Sequence, residues 1–227
     1  MASKMKSSFV NMVVVLGLVA AISGTSLGYM FELTKAPIAK AKAEKLKAAI
    51  SLVAPEFENV KKYMVAPADG LGDSLFFYDV TNGGDVVGTA VKSWTDKGFS
   101  GRLWVIVAFL PDGTINNSNV LEHKETPGLG DKTDIAKSTW NTQFKEKDPA
   151  NYKLVVTKDG GDVDAITAAT ISSRAYCDAM QRGYDAFMKY KASAPKVEEI
   201  KVEEAPVVTE PTDTIQEIIE IKEGGQE

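Results

Sequence analysis

Between Ser7 and Phe31 the chain carries no charged side chain, and the segment is densely apolar through Phe9-Val10, Met12 to Leu16 and Leu18 to Ile22. As a helix rising about 1.5 Å per residue it exceeds the ~30 Å hydrocarbon core of a bilayer. Such a run has no stable place on the surface of a globule, so the remainder of the chain is expected to be a domain hung from one side of a membrane. Residues 9–31 are expected to form a transmembrane helix, with 1–8 as a short N-terminus that is cytoplasmic if the domain lies outside. A cleaved signal peptide would share the basic start at Lys4 and Lys6 and the small residues Ser23 to Ser26. Its apolar region usually spans only ~7–15 residues, which favours a retained anchor. Flanking charge leaves the side open: Lys35, Lys40, Lys42, Lys45 and Lys47 come after the span, and a plain count of basic residues would keep the larger part inside.

Pro37 to about Val53 reads as a separate amphipathic helix. Pro37 suits its first turn, and Ala39, Ala43, Leu46, Ala49-Ile50 and Val53 recur at helical spacing opposite a lysine face. Those lysines suit solvent, or anionic lipid headgroups beside the anchor. Phe76 to Gly130 reads as antiparallel β structure, with apolar runs at Leu75 to Val80, Val86 to Val91 and Leu103 to Leu110 and turns at Asn82-Gly83-Gly84 and Pro111-Asp112-Gly113. Trp94, Phe99 and Trp104 are expected in its core, with stacking on a flat ligand as the lesser reading. Ile135, Trp140 and Phe144 are spaced for one helical face within Thr133 to Asp148, and Leu154 to Val156 reads as a short strand. A last helix runs through Tyr176, Met180, Tyr184 and Phe187 to about Tyr190.

The fold class is therefore α+β: one N-terminal transmembrane helix, then a domain over 32–194 with an antiparallel sheet and flanking helices. Residues 195–227 are a tail of another kind, with ten acidic residues against three lysines and no aromatic. Such a composition predicts disorder, though Ile215 to Ile221 has the pattern of a short amphipathic helix for a partner. The tail is formally −7 and the whole chain −5, so the rest stands at about +2 and the acidity says nothing about the domain.

Two stretches carry the chemistry. Asp164-Ala165-Ile166-Thr167-Ala168-Ala169-Thr170, continued by Ile171-Ser172-Ser173, is a hydroxyl-rich loop opening into the last helix. Unpaired N–H groups and the positive end of the dipole make such a place an anion site, although a Thr or Ser there can simply cap the helix. Upstream, His123-Lys124-Glu125-Thr126-Pro127-Gly128-Leu129-Gly130-Asp131-Lys132 makes a tight turn with an apolar Leu129 at its tip. That Leu suits either the core or a flat apolar ligand.

The first stretch resembles the flavinylation motif, Asp-x-x-Thr-x-Ala-Thr, of the FMN-binding domain found in the G subunit of Rnf complexes and the C subunit of sodium-pumping NADH:quinone oxidoreductases. The second resembles the Glu-Thr-Pro-Gly-Leu-Gly loop of the same family, which lies against the isoalloxazine ring. The resemblance implies that a flavin transferase esterifies the phosphate of FMN onto Thr170. It makes Asp164, Thr167, Ala169, Ser172, Ser173, His123, Glu125, Thr126, Gly128 and Leu129 the further cofactor-binding set. Ala168 departs from the family, which usually has Gly there. Lys124 and Asp131-Lys132 look more like the Rnf-type member than the quinone-reductase one. The resemblance further implies a single-pass protein of the cytoplasmic (inner) membrane with its flavin domain on the extracytoplasmic, periplasmic side, relaying electrons beside other subunits of an ion-translocating complex.

Composition bounds the rest. With one Cys and one His, the chain has no Cys/His metal cluster and no internal disulfide, and no Ser-His-Asp arrangement is visible. No catalytic residue is assigned, and His123 suits either a structural hydrogen bond or proton work. No basic patch with interleaved aromatics points to nucleic acid. Two other classes fit the same residues: an anchored module binding its ligand noncovalently, and an assembly subunit that keeps the fold without the flavin.

Overall fold

A computed structural model describes residues 9–67, 70 and 72–192 of the 227-residue chain. The N-terminus 1–8 and the expected tail 195–227 lie outside the described residues.

The first element, α1 (Phe9–Val53), is one continuous helix of 45 residues. The expectation that Pro37 opens a second helix is therefore corrected. A proline ring costs the helix its bond to the carbonyl four residues back, here that of Leu33, and the good helix formers Ala36, Ala39, Ala41 and Ala43 around it carry the helix through. An 18-residue window of α1 has mean hydropathy 2.0 and no buried residue. Thr25, within this apolar stretch, returns its hydroxyl to the carbonyl of Ala21. Only the last turns, at Ala49, Ile50 and Val53, are buried against the domain.

Five antiparallel strands come next in sequence order: β1 (Asn59–Val65), β2 (Leu75–Asn82), β3 (Asp85–Gly98), β4 (Gly101–Phe109) and β5 (Ile115–Glu122). β2 and β3 are joined through Gly83 and Gly84 at φ 58° and 93°, the positive values a two-residue hairpin turn requires. β1 escapes the sequence reading because its first half, Asn59-Val60-Lys61, is exposed. As an edge strand it needs only one partner, β2.

Alternation along β4 sends Leu103, Val105, Val107 and Phe109 to one face and Ile106 and Ala108 to the other. The first face is covered by α2 (Thr170–Ala192) through Tyr176, Met180, Ala186 and Phe187, and the second by the end of α1 with Tyr78, Val80 and Leu121. The sheet is thus sandwiched between the end of the apolar helix α1 and the helix that carries Thr170.

Between β5 and α2 the chain forms 3-10 turns at Gly130–Thr133, Trp140–Phe144 and Thr157–Asp159. The helix expected across Thr133 to Asp148 does not form. The N–H of Ile135 goes to Asn119 Oδ1 at 3.0 Å instead of to a helical carbonyl, and the Trp140 indole donates to the carbonyl of Asp164 at 2.6 Å. Trp140 also meets Phe144 and Tyr176 edge-on, at 5.2 Å in each case. Aromatic spacing here reflects a short turn wedged onto α2. Leu154 and Val156 are buried, but the expected strand reduces to a single parallel bridge, Val156 to Val163.

Candidate functional site

The two sequence motifs meet in one place. Glu125, 5% exposed, accepts a hydrogen bond from Ser172 Oγ at 2.6 Å and another from the N–H of Ser100 at 3.3 Å. This carboxylate ties the turn after β5, the β3–β4 hairpin and the start of α2 together. Gly130 lets them close: a Cβ there would lie 2.5 Å from Ser172 Oγ and 2.8 Å from Glu125.

Around this junction opens a cavity of about 330 Å³. Of the expected residues, Glu125, Thr126, Leu129, Ala169, Thr170 and Ser172 line it. His123, Gly128, Asp164, Thr167 and Ser173 do not, and four of these shape the surrounding backbone. His123 Nδ1 accepts the N–H of Glu125 at 3.1 Å, a structural bond within the turn. Gly128 supplies the positive φ of 76° that the turn needs. Ser173 Oγ accepts the N–H of Ile166 at 2.9 Å and donates to the carbonyl of Ala169 at 3.1 Å, bracing the loop from inside. Asp164 is tied by its backbone to Gln143 and Trp140, and its residue is exposed, as is Thr167.

Phe99, Gly130, Ala168 and Ile171, outside the expected cofactor-binding set, also line the cavity. Phe99, expected in the core, is 65% exposed and stands at the tip of the β3–β4 hairpin. Its signal was available: an aromatic between Gly98 and Ser100-Gly101 sits in a turn, where burial in a sheet core is hard to arrange. Trp94, by contrast, is buried, and Trp104 is half-buried. Phe99, Leu129 and Ile171 together give the cavity an apolar rim.

Thr170 is the first residue of α2 and half-buried. Ala169 before it has no side-chain oxygen, so the first-turn N–H groups have no side-chain cap from the preceding residue, and the positive end of the helix dipole lies at Thr170. Lys158 Nζ lies 3.4 Å from Thr170 Oγ1. It is held there from the neighbouring turn, because Asp159 makes a bidentate pair with Arg174 of α2 at 2.6 and 2.8 Å. The guanidinium keeps the Asp159 carboxyl below the usual carboxylate range. Ala168 takes φ 63°, the left-handed conformation natural to Gly, so the backbone keeps a Gly-like path despite the substitution.

These features suit FMN. A rim of Phe99, Leu129 and Ile171 matches a flat ring, while a bare helix N-terminus with a lysine beside it matches a phosphate. At about 330 Å³ the cavity is near the lower end for ligand clefts, so it would grip part of the nucleotide and leave an edge in the open.

Fold and site together define an FMN-binding domain on a membrane-type helix, and the family described as the FMN-binding domain matches residues 98–185, from the end of β3 into α2. Over 193 residues the chain is 34% identical to the G subunit of the ion-translocating oxidoreductase complex of Cereibacter sphaeroides, covering 82% of this chain and 88% of that one. It is 31% identical over 200 residues to the protein of the same name from Shewanella piezotolerans, covering 82% and 93%. Its counterpart in Shewanella loihica is 38% identical over 124 residues, 52% of this chain and 58% of the relative. The chain belongs to the family of G subunits of ion-translocating oxidoreductase complexes.

Proposed function

We propose that this chain is the electron-carrier subunit of a membrane-bound, Rnf-type ion-translocating ferredoxin:NAD oxidoreductase complex, with FMN esterified through its phosphate to Thr170 and the domain outside the cytoplasm. The observation that carries the proposal is the setting of Thr170 Oγ1. It is half-buried at the mouth of the cavity of about 330 Å³, at the start of α2 behind Ala169, with Lys158 Nζ 3.4 Å away. When bound, FMN supplies the reversible uptake and release of electrons. The chain's own residues hold and tune it. The first turn of α2 and Lys158 offset the phosphate charge, Leu129 and Phe99 offer apolar contact, and Glu125 fixes the spacing of the three segments. The exposed Asp164 is left to the flavin transferase that would form the Thr170 Oγ1–phosphorus bond, the hydroxyl giving up its proton and the flavin phosphate one of its P–O bonds, for a net gain of FMN less water.

Co-expression with a flavin transferase tests this. The protein should fluoresce in a denaturing gel and gain the mass of FMN less water. Thr170→Ala should be dark, whereas Thr167→Ala keeps the label and Asp164→Ala folds but labels poorly. A label that survives Thr170→Ala ends the proposal, and a flavin lost on denaturation would favour noncovalent binding. For the side of the membrane, single cysteines in the acidic tail of a Cys177→Ser chain should react with an impermeant thiol reagent on intact cells. Reaction only after lysis would put the domain inside.

A further inference from the structure

A second cavity, of about 430 Å³, lies on the opposite side of the sheet, where α1 meets β3, β4 and β5. It is lined by Lys42, Lys45 and Leu46 of α1 and by Lys92, Trp104 and Glu122 of the sheet. Three ammonium groups thus face one carboxylate. Lys42 pairs with Glu122 at 3.4 Å, and Lys45 donates to the carbonyl of Leu121. Lys92 is half-buried, stands 4.5 Å over the Trp104 ring and 5.9 Å over that of Phe76, and has no carboxylate within 4.0 Å among the described residues. Lys62 lies 4.9 Å over the same Phe76 and adds a further cation. Burial lowers the pKa of Lys92, Lys42 and Lys62 add to the lowering, and Glu122 opposes it. An incoming anion would relieve that cost.

Membrane lipid is poorly placed to supply the anion. At about 1.5 Å per residue, Lys42 stands ~16 Å along the helix beyond Phe31, where the charge-free run ends, and Lys45 still farther. The headgroup layer of one leaflet is only ~5–8 Å thick.

The chain itself carries the complement. Ile215-Gln216-Glu217-Ile218-Ile219-Glu220-Ile221 alternates carboxylates with isoleucines, and the tail containing it is formally −7 against about +2 for the rest. We propose that this C-terminal segment docks in the lysine cavity, with Glu217 and Glu220 meeting Lys92 and Lys42 and the isoleucines meeting Leu46 and Trp104. Reach does not limit it. The residues between Ala192 and Ile215 can extend ~70 Å at ~3.3 Å each, whereas a domain of this size has a radius of gyration of about 15 Å. Tethering gives the segment an effective concentration up to the millimolar range, so a weak contact suffices, and it should weaken with salt.

The full-length protein in neutral detergent, treated with a carbodiimide, tests this. The reagent joins a carboxylate to a touching amine as an amide, taking up the water lost. Peptide mass spectrometry should find Glu217 or Glu220 joined to Lys92 or Lys42, with yield falling at least tenfold in high salt. In a mixture of isotopically heavy and light protein the joined pairs should come from one chain. Glu217→Gln with Glu220→Gln should raise the acylation rate of Lys92 severalfold without shifting Tm. Cross-links spread evenly over exposed lysines such as Lys40 and Lys137, or Lys92 acylation unmoved by the double variant, would overturn the proposal. Isotopically mixed pairs would assign the cavity to a second copy. Protection of Lys92 only on adding anionic vesicles would assign it to lipid.

Discussion

Ala168→Gly should make the protein more stable, against the usual effect of adding a glycine. Ala168 has φ 63°, and an L side chain in the left-handed region costs about 1–2 kcal/mol. The substitution removes that cost but returns about 0.4–1 kcal/mol of conformational freedom to the unfolded chain. Ala168 is exposed, so losing its methyl group gives up no buried contact. The balance is about 0.5–1 kcal/mol in favour of Gly. For a chain of this length, ~2–4 °C per kcal/mol converts this to a Tm about 1–4 °C higher. Thermal melts of the detergent-solubilised, unflavinylated chain, monitored by circular dichroism, would measure it. Ala168→Val, β-branched at a positive φ, should melt below the parent. A lower Tm for Ala168→Gly would refute the prediction at its root, because the Thr167-Ala168-Ala169 backbone would then not be under the strain its dihedral implies.

Gly130→Ala should lower Tm, since its Cβ would meet Ser172 Oγ at 2.5 Å and Glu125 at 2.8 Å and must break or stretch the bond between them. Overpacking of this kind costs about 1–3 kcal/mol, measurable in the same melts. Leu129→Ala and Phe99→Ala should each keep the flavin label in a denaturing gel yet shift the visible spectrum and raise the fluorescence anisotropy decay rate of the native protein. Unchanged spectra in both would mean the rim does not touch the ring. Burial pushes the Cys177 thiol up to about 12, so it stays protonated across pH 7–9. A maleimide should therefore label it at pH 8 only after denaturation, and rapid labelling of the native chain would contradict the packing of α2.

The sheet and α2 were legible because their signals are local. Asn82-Gly83-Gly84 and Pro111-Asp112-Gly113 mark turns by themselves, and the apolar spacing after Thr170 has one period throughout. Thr170, Glu125 and Leu129 stood out because each sits in a motif, and the structure gathers all three around one cavity. What the sequence could not show was their physical junction, the Ser172 to Glu125 bond, since two segments far apart in the chain acquire a common partner only through folding. Phe99 is a different case: Gly98 and Ser100-Gly101 already mark it as a turn residue, and only its place beside the Leu129 turn had to come from the fold. Trp140 and Phe144 suggested a helix because their spacing fits one. The competing bonds to Asn119 and Asp164, both remote in sequence, decided otherwise. Pro37 failed as a boundary because a proline removes one helical bond, and its alanine-rich neighbours had enough propensity to continue.

That unbroken passage through Pro37 has a mechanical consequence. Because α1 ends by packing on the sheet, the domain is mounted on a mast rather than hung on a tether, and the mast runs ~33 Å from Phe31 to Val53. Each 10° change in its lean would swing the domain sideways by ~6 Å, and transmembrane helices in bilayers lean by ~20° on average. If α1 spans a bilayer, the lateral address of Thr170 is then set by how that helix leans among its neighbours. A change in bilayer thickness would move the Thr170 cavity without altering any contact inside the domain.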